Sequence, residues 1–372
     1  MLDRQNSRDT SGQRGDPGFV RGLTRPSVVS AATALCVLCA AFVAYCTILG
    51  PGFLASDKYR LLMSNPLDTH TLVGHRVLSR AGSSGANAIL LGTSVTIRCI
   101  EGEAPLAERI EARTGRRLRV DDLATDAQAT WEMAALVDRL PPQDGGVLVI
   151  GLTPGLLSAN PLGDSRNALG SLLKWPRFGF TSPAMEAEAR ALGVAVPRRT
   201  GIYAIDNAGY ILSRRKELLR NLLRGGTDYA DPLTAAWYKN VNTPEFWAKE
   251  IRELPEVAAE YRANAALNFD MLDRMVLRAR QSHDFRVVVL ESPVNPGWWQ
   301  DEAGARFYRA YRADLAALAG RLGGTFVQIS ERAGLKQSDF VDYEGHLGNA
   351  AARARCSDAL ADGIAAALEG GA

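Results

Sequence analysis

Ser94 is the residue in this chain that first suggests chemistry. It lies in the stretch AILLGTSVT, where apolar residues lead into a glycine, a threonine and a serine. This pattern predicts a buried strand that ends in a tight turn, and the turn would hold the serine at the carboxyl end of a sheet. A serine hydroxyl is a weak nucleophile unless an imidazole takes its proton. A nucleophilic role for Ser94 therefore requires a histidine at the same edge of the sheet.

His346 is the histidine that best meets this requirement among the four in the sequence. His70 and His75 precede the first predicted strand, and His283 lies in a polar turn before the fourth strand, at the opposite edge. His346 instead lies in SDFVDYEGHLG, between the last predicted strand and the last helix. The arrangement predicts that Ser94 is a nucleophile and that His346 is its base. Taken alone, a serine after a strand is more often part of a simple turn, and a histidine in such a loop is more often a helix cap.

Three acids stand close to His346 in the sequence: Asp339, Asp342 and Glu344. A serine and histidine pair needs one acid that holds the imidazole in the correct tautomer and stabilises its charged form. We predict Asp342 for this role. The spacing keeps Glu344 and Asp339 as alternatives.

The elements that must position these residues alternate as strands and helices. Continuous apolar runs predict five strands, at residues 87–92, 118–123, 145–155, 285–299 and 324–330. The predicted helices include residues 103–114, 258–282 and 349–368. Apolar strands that alternate with helices are typical of a parallel sheet covered on both faces. The chain is therefore predicted to be an α/β protein with a five-stranded parallel sheet.

Residues 155–284 do not follow this alternation. They mix loops, aromatic residues and basic helices, which predicts a long helical insertion over the sheet between the third and fourth strands. Trp175, Trp237 and Trp247 lie in this insertion. They are candidates for the wall of a carbohydrate groove, and packing within a lid is the alternative.

The first fifty residues predict a membrane anchor. Residues 1–26 contain few apolar side chains that could form a core, which predicts a disordered leader. Residues 27–50 contain no charge, and residues 28–49 as a helix would span about 33 Å, enough for a bilayer. Five arginines precede this segment, so the positive-inside rule predicts a cytoplasmic leader and an exported domain of residues 57–372. A buried soluble helix and a cleaved signal peptide are the alternatives.

Cysteine usage predicts one disulfide. Three of the five cysteines fall in the apolar segment, which leaves Cys99 and Cys356 for the exported domain. Each follows one residue of the predicted pair, so the two should be neighbours, and an exported compartment oxidises thiols. Two separate buried thiols are the alternative.

Composition narrows the class of function. The chain has 372 residues and a formal net charge of +2, with neither a long basic run nor an acidic tail. This balance argues against a nucleic-acid partner. The sequence contains no CxxC motif and no metal-like cluster of Cys and His, so no metal or organic cofactor is predicted.

Short blocks of the sequence resemble a known superfamily. The segment ILLGTS resembles the first block of the SGNH/GDSL hydrolases, in which the serine follows a strand and a glycine. The segment DFVDYEGHLGNAAA resembles their last block, in which an acid shortly precedes the catalytic histidine. The segment VVVLESPVNPGWW is similar to DltD-like proteins, and the anchor, exported domain and insertion resemble alginate O-acetylation proteins. The resemblance covers roughly residues 85–155 and 285–368.

The resemblance implies a three-layer, flavodoxin-like SGNH fold and a serine esterase or O-acyltransferase. Such a protein would be a single-pass protein of the bacterial inner membrane, with its domain in the periplasm or outside the cell. Its substrate would be an acyl ester of a cell-envelope glycan, and a membrane-bound O-acyltransferase is a possible partner. Ser94, His346 and Asp342 would be catalytic, and the oxyanion hole would use Ser94, Ala127 and Thr153.

Departures from the family pattern affect the oxyanion hole. The family offers a glycine in its second block, where this chain has Ala127, and an asparagine in its third block, where this chain has Thr153. A hole that lacks one side-chain donor loses roughly 3 kcal/mol of transition-state stabilisation. Asn160 and Asn295 are alternatives to Thr153 as the replacement donor.

A further departure affects the acid. The family acid commonly stands three residues before the histidine, whereas Tyr343 holds that place here and Asp342 stands one residue earlier. These departures support a second hypothesis, in which the chain keeps the SGNH fold without its chemistry. It would then be a binding or scaffold partner of a membrane-bound O-acyltransferase.

Overall fold

The computed structural model of the chain describes residues 27–80, 86–163, 165–230 and 243–370. The chain forms two compact units, residues 1–49 and 50–372. The leader predicted at residues 1–26 lies outside the described residues.

The first unit contains one long helix, α1, at Val28–Ile48. It begins after Ser27, whose side chain accepts a hydrogen bond from the N–H of Ser30. The helix is apolar throughout and exposed, and it is the one helix among the described residues that is long and apolar enough to cross a membrane. The prediction of such a helix within residues 27–50 is confirmed, while its orientation stays a prediction.

The second unit is built on a five-stranded sheet in the order β2-β1-β3-β4-β5. The strands are β1 at Asn87–Leu91, β2 at Arg119–Asp122, β3 at Asp144–Leu152, β4 at Asp284–Glu291 and β5 at Thr325–Gln328. All four neighbouring pairs are parallel. The predicted α/β class and parallel five-stranded sheet are confirmed. Every strand therefore ends at the same edge of the sheet.

Helices connect these strands. Those of the second unit are α2 at Pro51–Ala55, α3 at Thr69–Ser79, α4 at Ser94–Ile97, α5 at Glu103–Thr114, α6 at Thr130–Val137, α7 at Pro154–Ser158, α8 at Leu169–Lys174, α9 at Pro183–Ala191, α10 at Tyr203–Asp206, α11 at Ala208–Ser213, α12 at Arg215–Arg224, α13 at Pro244–Ala279, α14 at Glu302–Arg321, α15 at Ile329–Arg332 and α16 at Ala350–Glu369. Short 3-10 helices span Asp57–Leu61, Pro296–Trp299 and Gln337–Asp339.

Hydrophobic cores cover both faces of the sheet. Along β1, Ile89 and Leu91 point into one core, and Ala88 and Leu90 point into the other. Successive side chains of a strand face opposite sides, so a strand buried on both sides must be apolar throughout. Helices α13 and α14 pack on the first face, and α5 and α16 pack on the second.

Some predicted boundaries were wrong. Strand β3 ends at Leu152 rather than residue 155, because the side chain of Thr153 caps α7 and Pro154 begins that helix. Strand β4 ends at Glu291 rather than residue 299, since the chain turns through prolines into a 3-10 helix. The long helix α13 begins earlier than residue 258 and contains a proline, Pro255, in its interior.

The insertion at residues 155–284 is helical over most of its described part, from α7 to α13. Trp175 is 53% exposed and does not line the cavity beside Ser94. Trp237 lies outside the described residues, as does the side chain of Trp247.

The predicted disulfide is absent from the structure. Cys99 and Cys356 are both free and fully buried. They are neighbours, as expected. A hydrogen bond with the Cys356 thiol, together with burial, raises the pKa of Cys99 well above its ordinary value. Disulfide exchange requires a thiolate and access for an oxidant, and this site disfavours both.

Gly151 gives a test of how tightly β1, β3 and α4 pack. A Cβ at this position would overlap the Thr96 hydroxyl and lie 2.8 Å from Thr96 Cγ2. We expect Gly151→Ala to destabilise the full chain by about 1–3 kcal/mol, as overpacking does. Thermal unfolding of the detergent-solubilised protein measures this loss.

Thr96→Ala removes both clashing atoms, so the penalty of Gly151→Ala should shrink in that background. Gly320→Ala is the matched control, because a Cβ there meets nothing within 4 Å. An equal penalty with and without Thr96 would contradict the packing argument.

Candidate active site

Ser94 lies directly beyond the end of β1, at the first position of α4. Gly92 has a φ of +153°, and a Cβ there would lie 2.7 Å from the Cβ of Thr96, so only glycine fits this turn. The N–H of Gly92 donates a 2.9 Å hydrogen bond to the buried side chain of Gln128, which follows β2. The turn after β1 is thus fixed to the loop after β2.

His346 lies in the loop between Gln337–Asp339 and α16. The loop closes on itself, because Phe340 and Leu347 form an isolated antiparallel bridge and the N–H of Val341 donates to the carbonyl of His346. Gly345 has a φ of +113°, and a Cβ there would overlap the carbonyl of Pro293. Glycine therefore lets the loop approach the segment after β4, and His346 is 1% exposed.

The structure brings Ser94, His346 and Asp342 together. The Oγ of Ser94 is 2.8 Å from His346 Nε2, and His346 Nδ1 is 2.7 Å from Asp342 Oδ2. A carboxylate that accepts from Nδ1 leaves Nε2 free to accept the serine proton. The other oxygen of Asp342 accepts from the N–H groups of Gly345 and His346, at 3.2 and 3.1 Å.

The alternative acids lie elsewhere. Glu344 comes within 3.8 Å of His346 Nδ1, but its side chain is 52% exposed. Asp339 forms an ion pair with Arg355 at 2.8 Å and accepts a hydrogen bond from Asn349, so it fixes the start of α16. Asp342 is thus the acid in hydrogen-bond contact with the imidazole.

The other three histidines make different contacts, and none of them has a hydrogen bond to Ser94 in the described part of the chain. His75 stacks on Tyr59, and His283 accepts a hydrogen bond from the N–H of Gln143 at the amino end of β4. His70 is buried against Phe178, and burial lowers its pKa well below the ordinary value.

Ala127 lies across from Ser94 in a strained backbone conformation. Its φ of +48° is the one positive φ of a non-glycine residue in the described ranges. Both residues line the cavity, and neither of their N–H groups donates a hydrogen bond within the described part of the chain. Two unpaired N–H groups beside a nucleophile are the donors that a developing oxyanion requires.

Arg177, a residue of the insertion, holds this backbone in place. It donates a 3.0 Å hydrogen bond to the carbonyl of Ala127 and forms a doubly bonded ion pair with Glu132, which is buried. Glu132 also accepts from the N–H of Ala129. Burial raises the pKa of Glu132, and Arg177 opposes that rise. The sequence analysis missed this ion pair, since the two residues are distant in the chain.

Thr153, Asn160 and Asn295 were the three predicted candidates for a side-chain donor, and Thr153 is the one whose surroundings fit this role. Its hydroxyl oxygen accepts from the N–H of Leu156, which leaves its own proton available, and it lines the cavity. Asn295 donates instead to the carbonyl of Asp342 and accepts from Gly297, so it supports the acid. Asn160 accepts from the N–H of Leu162 and does not line the cavity.

A cavity of about 520 Å³ opens beside Ser94 and His346. Five aromatic side chains form much of its wall: Trp298, Trp299, Phe307, Tyr308 and Tyr343. The ring of Trp299 stacks on Tyr308 at a centroid distance of 3.8 Å, and the indole N–H of Trp298 donates to the carbonyl of Tyr343 at 2.7 Å.

The cavity also has polar lining groups. Asp126 and Glu344 lie in its lining. Asn167 lines the cavity and was not predicted as a site residue; its side chain makes no hydrogen bond within the described residues. No group of three or more His, Cys, Asp or Glu residues in the described ranges is placed to hold a metal ion.

Glu291 is a buried acid behind the aromatic wall, at the last position of β4. It accepts a hydrogen bond from the hydroxyl of Tyr308. Burial raises its pKa from 4.5 to about 7, and the Tyr308 hydroxyl and Arg312 partly oppose this rise.

Glu291 should make stability depend on pH. Its pKa is higher in the folded than in the unfolded chain, so the folded state binds more protons between pH 4.5 and about pH 7, and stability falls as pH rises through this window. Glu291→Gln should match the wild type near pH 4.5 and exceed it by about 3 kcal/mol above pH 7.

Unfolding temperatures of the full chain in detergent, measured for both proteins across this range, test the expectation. Gln retains an acceptor for Tyr308 and a similar volume, so it isolates the charge. A difference between the two proteins that does not change with pH would contradict it.

Comparison of the chain with models of known protein families and with curated proteins found no match.

Proposed function

We propose that this protein is a membrane-anchored serine esterase or O-acyltransferase with an SGNH-like site. The observation that carries the proposal is the hydrogen-bonded series of Ser94, His346 and Asp342 beside a cavity of about 520 Å³. Nucleophile, base and orienting acid are the three roles that acyl transfer by a serine requires.

In the proposed first step, Ser94 Oγ attacks the carbonyl carbon of an acyl ester while His346 Nε2 takes the hydroxyl proton. Asp342 stabilises the imidazolium that forms. The carbonyl oxygen gains negative charge and receives hydrogen bonds from the N–H groups of Ser94 and Ala127. The intermediate then collapses, and His346 returns the proton to the departing alcohol oxygen.

The second step distinguishes an esterase from a transferase. The acyl group is now an ester of Ser94, and a hydroxyl compound attacks it while His346 again takes the proton. The bond between the acyl carbon and Ser94 Oγ then breaks, and His346 returns the proton to Ser94 Oγ. Water as the attacking group gives hydrolysis, and a sugar hydroxyl gives O-acyl transfer. The aromatic wall favours an acceptor with an apolar face, as a sugar ring has, and the proposed acceptor is a bacterial cell-envelope glycan.

The Thr153 hydroxyl is proposed as the third oxyanion donor. Its oxygen caps α7, so the side chain is already held in place and its proton can point toward the cavity. The unpaired backbone N–H groups of Ser94 and Ala127 supply the other two donors. Without Thr153, the hole would lose roughly 3 kcal/mol of transition-state stabilisation.

Helix α1 supports a proposed location at a membrane. A helix of this length without charge fits a bilayer, and the arginines before it favour export of the domain. We propose a single-pass protein of the inner membrane whose domain lies in the periplasm or an equivalent space. A membrane-bound O-acyltransferase that delivers acyl groups is the partner that this location would suit.

Labelling with a fluorophosphonate tests the nucleophile. This reagent forms a covalent bond with an activated serine, so the full chain in detergent should label, and Ser94→Ala should not. His346→Ala should lower labelling and acyl-ester turnover by a thousandfold or more, because triad members act as a unit. His283→Ala, at the opposite edge of the sheet, is the matched control. Absence of labelling in a folded wild-type protein would favour the scaffold hypothesis.

Paired substitutions test the acid. Asp342→Asn should lower turnover by about a thousandfold or more, because an amide no longer favours the required imidazole tautomer. Glu344→Gln should leave turnover close to that of the wild type, since its carboxylate is half exposed and lies 3.8 Å from the ring nitrogen. Hydrolysis of a chromogenic acetyl ester measures both. The reverse order would show that Glu344 orients the imidazole.

A further inference from the structure

Helix α12 exposes three of its four leucines and buries its asparagine. Leu219, Leu222 and Leu223 are 64%, 58% and 83% exposed, whereas Asn221 is fully buried. Residues three and four apart share a helix face, so the three leucines form one apolar stripe, and Asn221 lies on the opposite side. A helix of a soluble domain normally shows the reverse arrangement, with leucines inside.

The orientation of α12 is fixed by hydrogen bonds. The Asn221 side-chain amide donates to the carbonyls of Leu61 and Met63, at 3.2 and 2.9 Å. Its oxygen accepts from the hydroxyl of Thr227 at 3.1 Å. Arg220 adds a hydrogen bond to the carbonyl of Ser64 at 3.0 Å. Rotating the helix to turn these leucines inward would break these hydrogen bonds, so the hydrogen bonds hold the apolar stripe on the outer side of α12.

Basic side chains flank the leucine stripe. Arg215, Lys216, Arg220 and Arg224 belong to α12, whose one acidic residue, Glu217, is half-buried on the inner side. Lys216 and Arg224 form no ion pair within the described part of the chain, so their charges are available. An exposed apolar stripe with Lys and Arg on its borders is typical of a helix that lies in the interface of an anionic membrane.

The segment that holds α12 lies close to α1 in the chain. Asn221 and Arg220 bind residues 61–64, about a dozen residues after the end of α1. Such a stretch spans at most about 45 Å even when fully extended. If α1 crosses a bilayer, the covalent chain therefore keeps α12 within reach of its surface.

We propose that α12 docks on the anionic lipid surface of the membrane that α1 spans, with its leucines in the interface and its basic residues on lipid phosphates. The positive charge favours anionic lipids over a second copy of the same basic helix, which would repel it. This inference rests on the proposed anchoring and is independent of the proposed chemistry.

A fluorescent probe on the leucine stripe tests the proposal in the full chain. In a background with alanine at Cys36, Cys39 and Cys46, the variant Leu222→Cys is labelled with an environment-sensitive dye, while the buried Cys99 and Cys356 do not react. The protein is reconstituted into phosphatidylcholine vesicles with or without phosphatidylglycerol. We expect blue-shifted, brighter emission in the anionic vesicles. Leu277→Cys, on a leucine of α13 that is 62% exposed, is the control and should not respond.

Charge removal gives the second measurement. Lys216→Gln together with Arg224→Gln should weaken docking about twentyfold or more, because each basic residue near an anionic surface contributes roughly a factor of five. Emission that is the same in both lipids, or the same at Leu222 and Leu277, would overturn the proposal. A shift that depends on protein concentration in detergent would assign the stripe to a second copy and would also overturn it. Failure of anchoring is seen separately, as protein that does not float with vesicles.

Discussion

The parallel alignment of the five strands is the constraint on which this site depends. Because all strands run in one direction, the turn after β1, the loop after β2 and the segments after β3 and β4 meet at a single edge. Ser94 and His346 are far apart in the chain, yet their side chains come within 2.8 Å at this edge. The two apolar cores that cover the sheet hold the strands in register and so hold the site together.

Close backbone approaches provide the precision that the sheet alone does not. Gly92 and Gly345 stand where a Cβ would overlap a neighbour, and each precedes a residue of the site by one or two positions. Ala127 adopts a positive φ without being glycine, which costs free energy that other contacts must offset. The bonds from Arg177 to the Ala127 carbonyl and to Glu132 supply such contacts.

Two buried carboxyl groups near the cavity, those of Asp342 and Glu291, have different surroundings. Asp342 accepts hydrogen bonds from the N–H groups of Gly345 and His346 and lies 2.7 Å from the imidazole Nδ1, so its carboxyl group has polar partners on each side. Glu291 has the opposite surroundings, because its burial favours the protonated form and raises its pKa to about 7. The same contrast in environment separates the inner and outer sides of α12, where hydrogen bonds to backbone carbonyls retain a buried asparagine and the leucines face outward.

Local pattern in the sequence determined the strands, several of the helices and the placement of Ser94 and His346 at one edge of the sheet. Apolar runs identify the strands because a strand buried on both faces must be apolar throughout. Residues that follow parallel strands meet at one edge of the sheet because all the strands run in the same direction. Helix α5 was predicted at residues 103–114 and lies at Glu103–Thr114, whereas α13 was predicted to begin too late, since a proline within a helix hides its start.

Only the tertiary structure decided which groups touch. Asp339, Asp342 and Glu344 all stand within seven residues of His346 in the sequence, and only the conformation of the closed loop brings Asp342 into hydrogen-bond contact with the imidazole. The hydrogen bond from Arg177 to the Ala127 carbonyl joins the insertion to the loop after β2. Cys99 and Cys356 are both buried and free, although they are neighbours. Distances, burial and charge environment arise from segments that are remote in the chain, and no local pattern encodes them.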